Sequence, residues 1–302
     1  MDALDSQALL GQAACLGAAL LWAIALTIFR RPIEVFGARR INLAKCSLAA
    51  VLQGLTVVLL GQAGVLWDAP ATSLAFIVAS GLVGLVVGDT ALFGATARIG
   101  VHRTLLLQTL APVFTAIVAA TWQAERPTLT QAIGSALILA GVACVVAPDR
   151  RNRTRAASGI GVGIALGIVA AMGQGVGVVL AKVGMQDVAV LPASFLRLAV
   201  AAVGLAVIGA FASTRVVPPG SGTDSSIIAR VLIATFLGAY VALFLMMAGV
   251  DLAPASVAAV LLSTGPVFSL VLETVIERRP PSVRGVAGTL LAVLGVAVLT
   301  AW

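Results

Sequence analysis

The sequence predicts an all-α integral membrane protein, with ten transmembrane helices arranged as two inverted five-helix repeats. Three observations predict it. Of the 302 residues, 60% are hydrophobic and 10% charged, whereas soluble domains run near about 45–50% and about 25%. Ten apolar runs, each long enough for a hydrocarbon core about 30 Å thick, fill the chain almost end to end. Proline and glycine positions recur between the two halves at one fixed offset.

The runs span 8–29, 38–61, 71–95, 99–123, 128–147, 159–183, 191–213, 226–249, 255–276 and 283–302, and are called spans one to ten here. Charge and turn signals separate them: Arg30-Arg31-Pro32, Asp68-Ala69-Pro70, Arg126-Pro127, 148–158, Pro218-Pro219-Gly220 and Pro280-Pro281. The weakest separation lies between spans three and four, at Arg98 and Gly100–Arg103. The first run is preceded by no basic region, so it reads as a retained helix rather than a cleaved signal. Spans of this length leave no room for a separate soluble domain.

The net charge is +7 and the pI about 10.6. In a soluble protein that balance would suggest nucleic acid. Here the basic residues cluster between apolar runs, as loops beside anionic lipid require. Cys15, Cys46 and Cys144 lie far apart inside apolar segments and form no CxxC pair, so neither a disulfide framework nor a zinc site is implied.

The basic stretch 148–158 divides the chain into repeats 1–147 and 159–302. Without gaps, Pro112-Val113-Phe114 aligns with Pro266-Val267-Phe268 and Pro127 with Pro281. Gly84 aligns with Gly238, Gly134 with Gly288, and Gly141-Val142-Ala143 with Gly295-Val296-Ala297 in the same register. Apolar matches between such helices arise easily, but proline and glycine matches at one offset do not. Five spans per repeat is an odd number, so consecutive repeats must cross the membrane in opposite senses, a layout of many secondary transporters. Charge agrees. Arg30, Arg31, Arg39, Arg40 and Lys45 are assigned to the loop after span one, against Lys182 after span six. The loop after span four holds Arg126, whereas its counterpart after span nine holds Arg278, Arg279 and Arg284. Loops after odd-numbered spans, with their flanks, carry 16 of the 19 Lys and Arg residues. The positive-inside rule then places those loops in the cytoplasm and both termini outside.

Several short motifs extend through both halves: Gly88-Asp89-Thr90-Ala91-Leu92-Phe93-Gly94, Ala111-Pro112-Val113-Phe114-Thr115, Glu125-Arg126-Pro127, Gly265-Pro266-Val267-Phe268 and Glu277-Arg278-Arg279-Pro280. In these the chain resembles the drug/metabolite transporter superfamily, in its ten-helix EamA-like branch. The resemblance implies two five-helix halves around a central cavity lined mainly by spans three, four, eight and nine.

Pro112 and Pro266 are expected near the middle of spans four and nine, where each removes a hydrogen bond and frees a carbonyl, at Gln108 and Leu262. Polar side chains gather there: Gln108, Thr109 and Thr115 in one half; Ser263, Thr264 and Ser269 in the other. The pair reads either as kinks lining a substrate site or as kinks that only let helices bend. Asp89 and Glu273 are the carboxylates placed most clearly inside spans. Such a group is costly in lipid and usually faces a cavity or a partner. Asp89 suits proton coupling or a cationic substrate, whereas Glu273 can also reach the interface beside Glu277. Neither has an acidic counterpart in the other repeat, where Leu243 and Ala119 stand. Tyr240 reads as cavity wall or packing, the sole histidine, His102, as interfacial or as a proton relay, and Arg197 as snorkelling. Glycine faces, Gly81/Gly84/Gly88 on span three and Gly159/Gly163/Gly167 with Gly173/Gly175/Gly177 on span six, permit close packing.

No GxxxxGK[ST], HExxH or GxSxG occurs. The expected activity is secondary transport, by preference export, of a small metabolite, amino acid or drug-like solute. A lipid-modifying membrane enzyme and a non-transporting sensor or assembly subunit are the alternatives. The candidate substrate-binding residues are Asp89, Gln108, Pro112, Thr115, Tyr240, Ser263, Pro266 and Glu273. No cofactor, metal or nucleic acid is expected. The partners are a small-molecule substrate and membrane lipids, with a homodimer left open, and the site of residence is the cell membrane, a bacterial inner membrane by preference.

Overall fold

The computed structural model describes residues 2–123, 129–146, 157–211, 225–252, 260–277 and 282–299. Among these residues the ordered structure is helical throughout. Among the described residues seven helices are long and apolar enough to cross a membrane, and three shorter apolar helices accompany them. The basic segment around Arg150, Glu125-Arg126-Pro127 and Arg278-Arg279-Pro280 lies outside the described residues, as do the side chains of Trp122 and Met247.

Six spans are single unbroken helices: α1 (Asp2–Phe36), α2 (Ala38–Leu59), α8 (Leu129–Val146), α9 (Ala157–Gly184), α10 (Val190–Phe211) and α14 (Val283–Leu299). Between α2 and span three lies a short turn of helix, α3 (Val65–Asp68). The expected break at Arg30-Arg31-Pro32 is corrected by the structure: α1 runs through Pro32 to Phe36. Ile33 is buried and Phe36 packs on the core, which holds this last turn in place. The chain turns instead at Gly37, whose φ of 83° favours glycine.

The other four spans are interrupted. Span three comprises α4 (Ala71–Ser80), a wider π-helical segment (Gly81–Asp89) and α5 (Thr90–Ile99). Span eight repeats that plan as α11 (Ser225–Thr235), a π segment (Phe236–Val241) and α12 (Ala242–Leu252). Span four consists of α6 (Val101–Gln108) and α7 (Ala111–Gln123), and span nine has its second part in α13 (Gly265–Glu277). Gly100, with a φ of 83°, separates spans three and four, so the weak sequence signal there marks a real turn.

The two proline sites are breaks rather than mid-helix kinks. Pro112 and Pro266 are the second residues of α7 and α13, where a missing N–H costs nothing because first-turn donors have no intrahelical partner. The preceding residues tighten into i→i−3 turns: Thr109 N–H to Leu106 O at 3.1 Å, and Ser263 N–H to Val260 O at 3.1 Å. Their hydroxyls add a bond to the same carbonyls, Thr109 Oγ1 at 2.7 Å and Ser263 Oγ at 2.7 Å. Thr109 and Ser263 are equivalent in the register that aligns Pro112 with Pro266, so the same local solution is built twice.

Helices from the two halves interleave. α9 packs along span three and α1 along span eight; α2 packs on α10, and α8 on α14. Each of these contacts has its equivalent or is its own equivalent when the halves are exchanged. At the α8–α14 contact, a Cβ built on Gly141 would lie 2.5 Å from the Gly288 carbonyl, and one on Gly295 would lie 2.8 Å from the Gly134 carbonyl. Gly134 and Gly141 are the equivalents of Gly288 and Gly295, so two equivalent helices pack antiparallel through their own glycines. The same close approach joins spans three and six. A Cβ on Gly173 would come within 2.9 Å of Gly88 Cα, and one on Gly177 within 3.0 Å of Gly84 Cα.

Candidate functional site

All interruptions inside the spans, among the described residues, fall in spans three, four, eight and nine. Irregular backbone at membrane depth is tolerated only where it is buried in protein or lines a cavity. The polar side chains that meet this backbone define the candidate site.

The first π segment is rich in glycine and valine, both poor α-helix formers. Its wider turn leaves the Leu85 carbonyl available, and Asn42 Nδ2 of α2 donates to it at 2.8 Å while also reaching Thr90 Oγ1 at 3.0 Å. The second π segment is served likewise by α2. Gln53 Nε2 donates to the Ala239 carbonyl at 3.3 Å. Leu85 and Ala239 are equivalent positions in the two repeats. One helix therefore satisfies the equivalent carbonyl of both π segments. Below Gln53, Thr56 Oγ1 and the Tyr240 hydroxyl are 2.7 Å apart, and the Tyr240 ring packs edge-on against Phe244 and stacks on Phe236.

Asp89 ends the first π segment and is buried. Its carboxylate is ion-paired with the ammonium of Lys45, on α2 one turn from Asn42. Lys45 also lies 5.3 Å from the centre of the Phe93 ring, a cation–π distance. Lys45 does not belong to the basic loop that the sequence suggests but to α2. Its side chain is instead 3% exposed, and burial of an ammonium is tolerated here because the carboxylate and ring replace its hydration. Arg197 of α10 lies within electrostatic reach of Asp89. It does not snorkel to the span end: one terminal nitrogen lies 3.5 Å from where a Cβ on Gly84 would sit.

The other candidates fall elsewhere. Glu273 is held by span four. Its Oε1 accepts the His102 backbone N–H at 3.0 Å, placing a carboxylate at the N-terminus of α6, where the helix dipole favours it. His102 is buried. Its Nδ1 lies 3.2 Å from the Pro266 carbonyl and 3.4 Å from Ser269 Oγ. The start of span four thus grips the broken part of span nine. In the first repeat, Thr115 Oγ1 donates to Gly175 O of α9 at 3.3 Å, and Gln108 closes α6, half-buried. The eight sequence candidates accordingly sort into three places: Asp89 with Lys45; Tyr240 with Thr56; and the two helix breaks, with Pro266 and Glu273 held by His102.

The sequence reading missed Asn42, Lys45, Gln53 and Thr56 as site residues. A signal existed. Positions 42, 45, 53 and 56 lie on one side of a helix, and their polarity in an otherwise apolar span is unusual. Among the described residues, no three His, Cys, Asp or Glu side chains gather closely enough to hold a metal ion.

A family model described as "EamA-like transporter family" matches the chain twice, over residues 9–147 and 161–301. No curated protein matches it. Among solved structures, one titled "Crystal structure of protein" is similar at a TM-score of 0.65 and 18% identity, covering 97% of this chain and 96% of its own. That likeness concerns the fold.

Proposed function

The chain belongs to the EamA-like transporter family, and from that premise we propose that it exports a small metabolite, amino acid or drug-like solute by secondary, alternating-access transport. The observation that carries the proposal is the pairing of interruptions: π segments in spans three and eight, helix breaks in spans four and nine, each pair at equivalent positions. Discontinuous helices at the interface of inverted repeats are where transporters of this type bind solute and change shape. The antiparallel packing of α8 on α14 supports the inversion. Spans three, four, eight and nine are the moving walls, and the six continuous helices are their frame.

Coupling resides at Asp89. A proton arriving on the carboxylate discharges the pair and releases Lys45, so protonation and rearrangement of the first π segment are linked. A cationic solute at Asp89 would first have to displace Lys45, which makes proton coupling the better reading of the two. Reconstituted protein is expected to accumulate at least one solute of a chemically mixed panel when a pH gradient is imposed, and to exchange it in counterflow. Absence of both accumulation and exchange across the panel, with correctly inserted protein, would reject transport.

A further inference from the structure

The Asp89 cluster holds more positive than negative charge. Lys45 and Arg197 both lie within electrostatic reach of the carboxylate and of each other. The single negative charge is ion-paired with Lys45. Arg197 donates no hydrogen bond to any described residue, and its Nε is buried without an acceptor. Arg197 as a whole is half-buried, but its Nε has given up hydration without replacement, which is costly unless an acceptor completes it.

The fold makes the space. A Cβ on Gly81 would stand 2.8 Å from the Arg197 carbonyl oxygen, so glycine there lets α10 lie against the π segment. Gly84 leaves the guanidinium room to lie across the same segment, one turn from Asp89. The guanidinium is planar and carries its donors in a fork suited to two acceptor oxygens. It faces a π segment, one of the paired interruptions on which the transport reading rests.

We propose that Arg197 is the anchor for an anionic group of the transported solute, a carboxylate or phosphate, bound beside the Lys45–Asp89 pair. The anion supplies the missing negative charge and satisfies the buried Nε. The proposal rests on the transport reading but is tested separately from it.

The test measures equilibrium binding to the purified full-length protein. The probes are radiolabelled acetate, benzoate and inorganic phosphate, with benzamide as the neutral counterpart of benzoate. Unmutated protein is expected to bind at least one of the anions and to prefer benzoate to benzamide. Carboxylate binding without phosphate, or the reverse, identifies which anion the site takes. Arg197→Gln is expected to weaken anion binding by about tenfold or more, as loss of a charge-assisted hydrogen bond predicts. Arg197→Lys, which keeps charge but not the fork, falls between. If Arg197→Gln does not fold, the comparison of anion with neutral probe in the unmutated protein decides. No preference for any anion, or unchanged affinity in a folded Arg197→Gln protein, overturns the proposal. Anion binding without flux upholds the site and rejects transport, whereas flux of neutral or cationic solutes alone, without anion binding, upholds transport and rejects the site.

Discussion

Lys45 and Asp89 bear on each other's cost of burial. Their side chains are 3% and 8% exposed, so removal of one charge leaves the other dehydrated and unpaired, typically a loss of about 3–5 kcal/mol. Asp89→Asn is therefore expected to lower thermal stability as well as transport, and loss of transport alone would not identify a coupling role. The double variant Lys45→Met/Asp89→Leu separates the two effects. Replacing a buried pair with apolar groups of similar volume is often neutral for stability. The double variant should melt closer to the parent than Asp89→Asn does, though below it because Arg197 loses the one carboxylate within its reach, and yet fail to accumulate solute under a pH gradient. If it transports like the parent, the pair is a packing device. Glu273 invites a parallel measurement. Glu273→Gln keeps an acceptor for the His102 N–H but loses the charge at the α6 terminus, so it should cost about 1 kcal/mol or less. Glu273→Ala removes the acceptor altogether and should cost more, which differential thermal unfolding reads directly. These pairings were not legible in the sequence. Asp89 announced itself as a carboxylate in an apolar run, but its partner sat 44 residues away, near enough to four arginines to resemble part of a basic loop. Only the helix through Ala38–Leu59 carries Lys45 away from that cluster and into the bundle.

At the scale of elements, length and hydropathy located the apolar helices of the described residues, because a membrane permits few alternatives to a long apolar helix. Where helices stop or widen was less visible. The prolines identified the two breaks, but not that the prolines begin new helices. A proline's missing N–H looks the same at the first turn of a helix as in its interior; the difference depends on the turn before it. The π segments had no sequence signature beyond glycine and valine, and their stabilising amides come from α2, far along the chain. Two outcomes follow from this arrangement. Pro112→Ala together with Pro266→Ala restores both N–H groups and lets each helix run on through its break. The double variant should insert normally and transport more slowly in proteoliposomes; full transport would leave the breaks a purely structural role. Gly173→Ala tests the close contact of spans three and six. Its Cβ would stand 2.9 Å from Gly88 Cα, a backbone atom that cannot swing aside. Overpacking of that kind costs about 1–3 kcal/mol, so the melting temperature should fall. Gly159→Ala, with nothing within 4 Å of the added atom, should leave it unchanged.

The whole molecule is built on exchange of its halves: α1 does for span eight what α9 does for span three. Sequence alone suggested this from matched prolines and glycines, because those residues are selected by backbone geometry and geometry is what the halves share. It did not show that the halves interleave, since contacts between distant helices leave no local mark. The orientation of the molecule in its bilayer follows from charge. Lys45 and Arg197 are held in the bundle and so leave the loop tally, one from each side, and the asymmetry of the remaining basic residues stands. Under the positive-inside rule the loops after odd-numbered spans are then expected in the cytoplasm. The proposed inversion has a sharper consequence: if the repeats are inverted, equivalent positions in them lie on opposite sides. Asp68, exposed before span three, has Gly222 as its equivalent before span eight. In a background lacking Cys15, Cys46 and Cys144, a membrane-impermeant thiol reagent added to intact cells should label Asp68→Cys. It should leave Gly222→Cys and Asn152→Cys unlabelled until the membrane is opened. Labelling of both equivalent positions from the same side would mean that the halves are not inverted. The reverse pattern, with Gly222→Cys and Asn152→Cys labelled and Asp68→Cys protected, would keep the inversion and turn the whole molecule over in the membrane, placing the termini in the cytoplasm.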